Sequence, residues 1–235
     1  AVERYQGSTP IFDHFAIEPQ LEGALCQKVW LPSGGYVVIE HTEAMTCIDV
    51  NTGRYVGKNT FENTILKINL EAVAQIVAQL QLRNIGGLII IDFIDMMQES
   101  SRQQVLDTLV HALESDKARS KVLSISEFGL VEMTRKRVRE SLVQFVCDQC
   151  PYCEGRGYIK SAETVAYEII RDILRDDRLH AVGHITIGLH PAVASVLQED
   201  EKETVDNLRE AFGFELELAT DDRVHMETYE IRPQG

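Results

Sequence analysis

The chain has 235 residues, 44% of them hydrophobic, enough for one large domain or two modest ones with a genuine core. No apolar run approaches the roughly 18 residues of a membrane span. A formal net charge of −14 argues at face value against nucleic acid, but the acidity is uneven. Residues 161–235 hold 17 acids and 7 bases and residues 1–160 hold 20 and 16, so the first part stays open to an anionic ligand. The N-terminus lacks an initiator Met and a signal-peptide pattern, and reads as the cut edge of a longer protein.

Residues 1–17 carry scattered apolar side chains without a period and read as the tail of a preceding domain. A short helix is expected over residues 18–25, with Pro19 in its first turn. Residues 27–31 and 36–39 flank Pro32-Ser33-Gly34-Gly35, the mark of a hairpin. A third strand follows over 45–50, then a Gly- and Asn-rich loop over 51–59. Asn69 is placed as the N-cap of a helix with Leu70, Val73, Ile76, Val77 and Leu80 on one face. Gly86-Gly87 closes that connection, and 88–91 is an unbroken apolar strand of the kind covered on both sides. Ser100 or Ser101 is expected to cap a helix with Val105, Leu106, Leu109, Val110 and Leu113 inward, and a strand is expected over 121–126. Trp30, Tyr36 and Phe128 are assigned to the core or an interface. The alternation of strand and helix predicts an α/β layer with helices on the sheet faces. Residues 128–146 give no clear element. After Gly157, a helix over 162–175, a strand over 185–189, helices over 191–197 and 203–212, and alternating strands over 214–218 and 227–231 make a second, small α+β domain.

Two of these strands carry acids that a core does not tolerate without a partner or a cation. Asp49 and Asn51 are two residues apart and share a strand face, and Asp92 ends the run 88–91. If the two strands are neighbours, the three side chains converge on a hard, oxygen-only site that suits Mg²⁺ or Mn²⁺ rather than zinc. Asp95 reads as a helix N-cap or a supporting acid. The basic run 135–139 is either a solvated face or a phosphate contact.

Cys147, Cys150 and Cys153 crowd together in a chain of only five cysteines, which points to metal binding in a reducing compartment. Cys150-Pro151-Tyr152-Cys153 is a knuckle that supplies half of a tetrahedral zinc site. His180 and His184 straddle a helix-to-strand junction and read as ordinary histidines. The economical completion is two chains that each donate Cys150 and Cys153, with one structural zinc per homodimer. Cys147 is either a third ligand or a free thiol beside the site.

The motifs together resemble the ribonuclease E/G family of endoribonucleases. They are Leu31-Pro32-Ser33-Gly34-Gly35, His41-Thr42-Glu43-Ala44, Ile48-Asp49-Val50-Asn51, Asn69-Leu70-Glu71-Ala72, the stretch from Gly86 through Asp92-Phe93-Ile94-Asp95 to Met96, Phe128-Gly129-Leu130-Val131-Glu132-Met133, and Cys150-Pro151-Tyr152-Cys153-Glu154-Gly155-Arg156-Gly157. They fall in family order, closely over residues 5–175 and more loosely beyond. The resemblance implies the C-terminal part of a catalytic region: the tail of a ribonuclease-H-like subdomain over 1–24, a deoxyribonuclease-I-like subdomain with a mixed sheet and flanking helices over 25–146, a zinc link over 147–158 and a small dimerisation domain over 159–235. It implies that Asp49 and Asp92 hold one Mg²⁺ per chain, that Asn51 orients the Asp49 carboxylate or a bound water, and that Cys150 and Cys153 bind the shared zinc. Arg83 and Arg119 stand where the family carries basic residues near the active site. The activity implied is Mg²⁺-dependent hydrolysis of single-stranded RNA to 5′-phosphate and 3′-hydroxyl ends, in the cytoplasm, by a homodimer or a dimer of dimers. The alternative is a catalytically weak, zinc-linked dimerisation scaffold.

Overall fold

The computed structural model describes residues 2–53, 61–126 and 129–234; most of the loop expected over 51–59, and Phe128, lie outside these. The chain divides between Asp148 and Gln149 into two compact units.

In the first unit, α1 (Ile11–His14) and α2 (Ile17–Leu25) lead into β1 (Lys28–Trp30), β2 (Tyr36–His41) and β3 (Met45–Asn51). Then come α3 (Phe61–Leu82), β4 (Gly87–Asp92), α4 (Glu99–Leu113), β5 (Ser120–Ile125), β6 (Leu130–Arg135) and α5 (Leu142–Val146). The six strands form one mixed sheet in the order β1-β2-β3-β4-β6-β5. The β1–β2 hairpin is as expected: Gly34 supplies a φ of +93°, and the Leu31 N–H donates to the Gly35 carbonyl at 2.8 Å. β3 and β4 are parallel and joined through α3, whose end is followed by Gly86. A Cβ at Gly86 would come within 2.6 Å of Arg137 Cγ and 3.1 Å of its Cα, so a larger residue there would force Arg137 to shift.

Helices α3 and α4 pack side by side on one face of this sheet. Ile68, Val73, Ile76 and Leu80 of α3 and Val105 and Leu109 of α4 meet Val37, Ile39, Ile48, Ile89, Ile91 and Val131. Each such side chain contributes about 1.5–3 kcal/mol by leaving water. Among the described residues of this unit the other face lacks this cover. β3 buries Thr46, Ile48 and Val50 but leaves Cys47, Asp49 and Asn51 on the open side, and β4 buries Ile89 and Ile91 while Leu88 and Asp92 are exposed. The expectation of a doubly covered β4 is therefore corrected: its apolar run is continuous, but only alternate residues enter the core. Trp30, expected in a core or interface, is exposed on the same open face.

Two helix starts also differ from expectation. α3 begins at Phe61, so Asn69 lies in its interior rather than at its N-cap. α4 has Gln98 at its N-cap, without a side-chain cap bond, in place of Ser100, Ser101 or Asp95. The carboxylate of Glu62, on α3, accepts from the Met97 and Gln98 N–H groups at 3.3 and 3.2 Å and so replaces the local cap.

In the second unit, α6 (Ala162–Arg175), β7 (His184–Leu189), α7 (Pro191–Gln198), α8 (Lys202–Phe212), β8 (Glu215–Thr220) and β9 (Tyr229–Gln234) follow the predicted order closely. β7 is central, parallel to β8 and antiparallel to β9. Ile169, Ile173, Ile185, Ile187, Val193 and Leu197 form its core.

Candidate active site

The parallel register of β3 and β4 places Asp49 directly beside Asp92. Paired residues of neighbouring strands project to the same face, with backbones about 4.8 Å apart. Both carboxylates are exposed on the open face. Asn51, two residues on and on that face, donates its side-chain N–H to Asp49 Oδ2 at 2.7 Å. The amide nitrogen, not its oxygen, thus faces Asp49, so Asn51 fixes the carboxylate instead of adding an oxygen to it.

The Asp92 carboxyl is held above its ordinary range, first by partial burial, then by the negative charges of Asp49 and Asp95. Nothing on the described part of the structure neutralises this crowding with an arginine or lysine ion pair. Among the described residues no group of three or more His, Cys, Asp or Glu side chains is arranged to enclose a metal ion. What the fold builds is an open pair of like-charged oxygens at the ends of two strands, a donor set that fits a hard cation whose other ligands come from elsewhere.

The loop after Asp92 is held from below. Asn69, fully buried, donates its side-chain N–H to the Ile94 carbonyl at 2.8 Å and accepts the Ile94 N–H at 3.1 Å. Arg102 donates to the Met96 carbonyl at 3.2 Å. Reading the sequence assigned Asn69 to a local cap because its partner lies 25 residues away. The useful sign was a short amide in the apolar face of a helix, which a core excludes unless it is bonded.

Arg83 and Arg119 are not brought to the carboxylates. Arg83 is buried at the end of α3, where its guanidinium donates to Gln79 Oε1 at 2.7 Å and the Cys26 carbonyl at 2.8 Å. Arg119 is exposed just before β5; Ser120 pairs with Arg135, and Arg135 with Gly87, the first residue of β4. Asp92 is the last residue of that strand, roughly 16 Å further on at about 3.3 Å per residue. Arg135, from the basic run, points into the core and pairs with Asp116 at 2.6 Å.

In the second unit, Cys150 and Cys153 bracket a turn in which the Cys150 sulfur faces the backbone N–H groups of Cys153 and Tyr152 and the Cys153 thiol, all of which hold the Cys150 thiol below its usual value. The Tyr152 ring packs on His225 at 4.2 Å, and Arg156 pairs with Glu227 at 2.6 Å, so the turn is anchored in its own unit. Cys147 belongs to the first unit. His180 stacks on Phe212 at 3.8 Å and His184 lies 3.3 Å from Glu217, so these two histidines have separate partners.

Residues 1–138 match the family model described as the Ribonuclease E/G family. The chain belongs to the ribonuclease E/G family. Residues 149–234 match a second model, the thioredoxin-like domain of RNase E/G. Over 230 residues the chain is 43% identical to Ribonuclease G of Escherichia coli, covering 98% of this chain and 47% of that protein. It is 44% identical to Ribonuclease G of Haemophilus influenzae over 228 residues, 97% of this chain and 46% of the relative. Ribonuclease E of Haemophilus influenzae is 35% identical over 235 residues, 98% of this chain and 25% of the relative. The chain thus spans about half the length of the ribonuclease G relatives it matches. No described helix is long and apolar enough to cross a membrane.

Proposed function

We propose that this chain is the catalytic core of a Mg²⁺-dependent endoribonuclease that hydrolyses single-stranded RNA to 5′-phosphate and 3′-hydroxyl ends. The observation that carries the reading is the side-by-side register of Asp49 and Asp92 on an open sheet face. Ribonuclease G and E are the names of the relatives aligned across nearly the whole chain. Asp49 and Asp92 would hold the Mg²⁺, one per chain, and a bound Mg²⁺ supplies a water of lowered pKa and counter-charge for the phosphate oxygens. The chain's own contribution is to align the two carboxylates. Asn51 fixes Asp49 through its amide N–H, and Asn69 fixes the backbone that follows Asp92. Among the described residues both carboxylates are exposed, within reach of an RNA strand.

The cysteine pair gives the second half of the proposal. Cys150 and Cys153, with two backbone N–H groups turned to the Cys150 sulfur, suit a thiophilic ion, and two thiolates per chain make half of a tetrahedral shell. A zinc shared by two chains ties a homodimer that the small second unit supports and that can pair further into a dimer of dimers, in the reducing cytoplasm.

The test is incubation of the chain with 5′-monophosphorylated single-stranded RNA and Mg²⁺. Cutting that requires Mg²⁺ and disappears in Asp49→Asn while the dimer persists is the expected result. Cutting that survives the substitution ends the assignment, and a complete lack of cutting favours the scaffold reading. Metal analysis with light scattering tests the zinc: half an equivalent per chain and dissociation on chelation are expected, against one full equivalent with unchanged mass.

A further inference from the structure

The open face carries more than the acids. β1 and β2 pair so that Trp30 lies opposite Tyr36, and Tyr36 in turn lies opposite Asn51. Paired residues share a face, so an indole, a phenol and the amide that fixes Asp49 form one row across three neighbouring strands. The neighbouring row runs Lys28, Val38, Asp49, Asp92. The Trp30 and Tyr36 rings meet edge to face at 5.5 Å, and Lys28 Nζ stands 4.1 Å from the indole centroid and 3.5 Å from the phenol centroid. Trp30 is 62% exposed. No carboxylate pairs with Lys28 among the described residues.

A single exposed apolar side chain needs no explanation. Here the indole is braced by a second ring, accompanied by an unpaired ammonium, and aligned with a pair of carboxylates. The Trp30 strand is two strand spacings, about 10 Å, from the β3 strand that carries Asp49 and Asn51. Base-stacking surfaces for single strands combine an aromatic face for a base with a cation for the phosphate beside it. We propose that Trp30, braced by Tyr36 and with Lys28 beside it, is a nucleobase-stacking platform that holds a nucleotide flanking the phosphate delivered to Asp49 and Asp92. The occupant is single-stranded RNA; its base stacks on the indole and its phosphate pairs with the ammonium. This inference rests on the endoribonuclease reading for its direction, but its test is independent of catalysis.

Trp30 is the only tryptophan in the chain, so its fluorescence reports the platform directly. The unmodified chain is titrated without added Mg²⁺ with a short single-stranded oligoribonucleotide, and with an abasic oligonucleotide of equal length. Saturable quenching by the first and little by the second is expected. In anisotropy titrations of a labelled oligoribonucleotide, Trp30→Ala should weaken binding about tenfold, the size of one base–aromatic stack, and Trp30→Phe should recover most of it. Lys28→Gln should weaken binding of both oligonucleotides and flatten the salt dependence. Absence of saturable quenching, equal quenching by the abasic strand, or unchanged affinity in Trp30→Ala overturns the platform. So does loss of an oligomer in Trp30→Ala with RNA affinity unchanged, which would make this face a contact between copies. If quenching persists but no RNA is cut, the catalytic reading fails and the platform stands. If RNA is cut but quenching is absent, the platform alone fails.

Discussion

The two ends of the six-stranded sheet handle charge in opposite ways. At the end where β4 begins, Arg135 is 4% exposed in its side chain and bonded to Asp116, itself 3% exposed, at 2.6 Å. It also donates to the Ile85 carbonyl at 2.6 Å. Nearby, Arg83 is satisfied by the Cys26 carbonyl and Gln79. Both of these buried guanidinium groups have an opposite charge or an acceptor, and the product is a closed junction between helix and strand. At the other end, Asp49 and Asp92 stand side by side with Asp95 adding to the field, and the Asp92 carboxyl is held above its ordinary value, first by partial burial and then by these two charges. A fold built for stability alone gains nothing by placing like charges in register. The contrast separates charges that hold the fold from charges that wait for a ligand.

The largest expected effect breaks the second end without touching the first. Asp49→Asn and Asp92→Asn should each lower RNA cleavage at least a thousandfold, the loss of several kcal/mol of charge stabilisation. Circular dichroism and the melting curve should show intact folds. Next in size is the first end. Asp116→Ala leaves the Arg135 guanidinium buried without its partner, and breaking a buried pair costs about 3–5 kcal/mol. Denaturant titration should register this as a lower midpoint. Arg135 holds the Asp116 carboxyl below the usual range, against the opposing effect of burial. The pair's stabilisation is therefore complete above the ordinary carboxylate value and is lost as pH falls through the depressed one. A variant with unchanged midpoint would mean that the pair is incidental.

These two ends were unequally legible in the sequence. Asp49 and Asp92 were visible because each interrupts or ends an apolar run, and their adjacency followed once β3 and β4 were taken as neighbours. Asn51 was placed on the right face by the two-residue period alone. β6 was missed because Arg135 occupies an inward position: Val131, Met133 and Arg135 alternate correctly, but an arginine in the buried set hides the period until Asp116 is known. Arg83 and Arg119 were drawn to the site by resemblance; strand register places Arg119 at the other end, and the bonds of Arg83 to Gln79 and Cys26 keep its guanidinium at the end of α3. Trp30, assigned to the core or an interface, is exposed within its own chain, because a sequence does not show which sheet face its helices cover.

Smaller than either is the effect of the clamp from α3. Asn69→Ala removes both partners of the Ile94 peptide and should cost about 2–3 kcal/mol, the price of leaving buried polar groups unpaired. The backbone it releases follows Asp92 directly, so cleavage should fall about 10- to 100-fold, as for other groups that orient a ligand from behind. A loss of stability with full activity would show that the Asp92 carboxylate is positioned by its strand alone.

The smallest effect has the sharpest sign. Burial, Asp49 and Asp95 raise the Asp92 carboxyl above its ordinary value, so the folded chain holds a proton that the unfolded chain has already released. Stability must then fall as pH rises from the ordinary carboxylate value through the raised one, and above that the charge is a constant burden. Asp92→Asn lifts that burden. Without divalent cation the variant should melt slightly higher than the parent near neutral pH, and the two curves should converge in acid. Mg²⁺ should reverse the order by stabilising only the parent, since a ligand raises the stability of the state that binds it. A variant that melts below the parent without Mg²⁺ would mean that Asp92 is held by favourable contacts, as Asp116 is, and the difference between the two ends of the sheet would disappear.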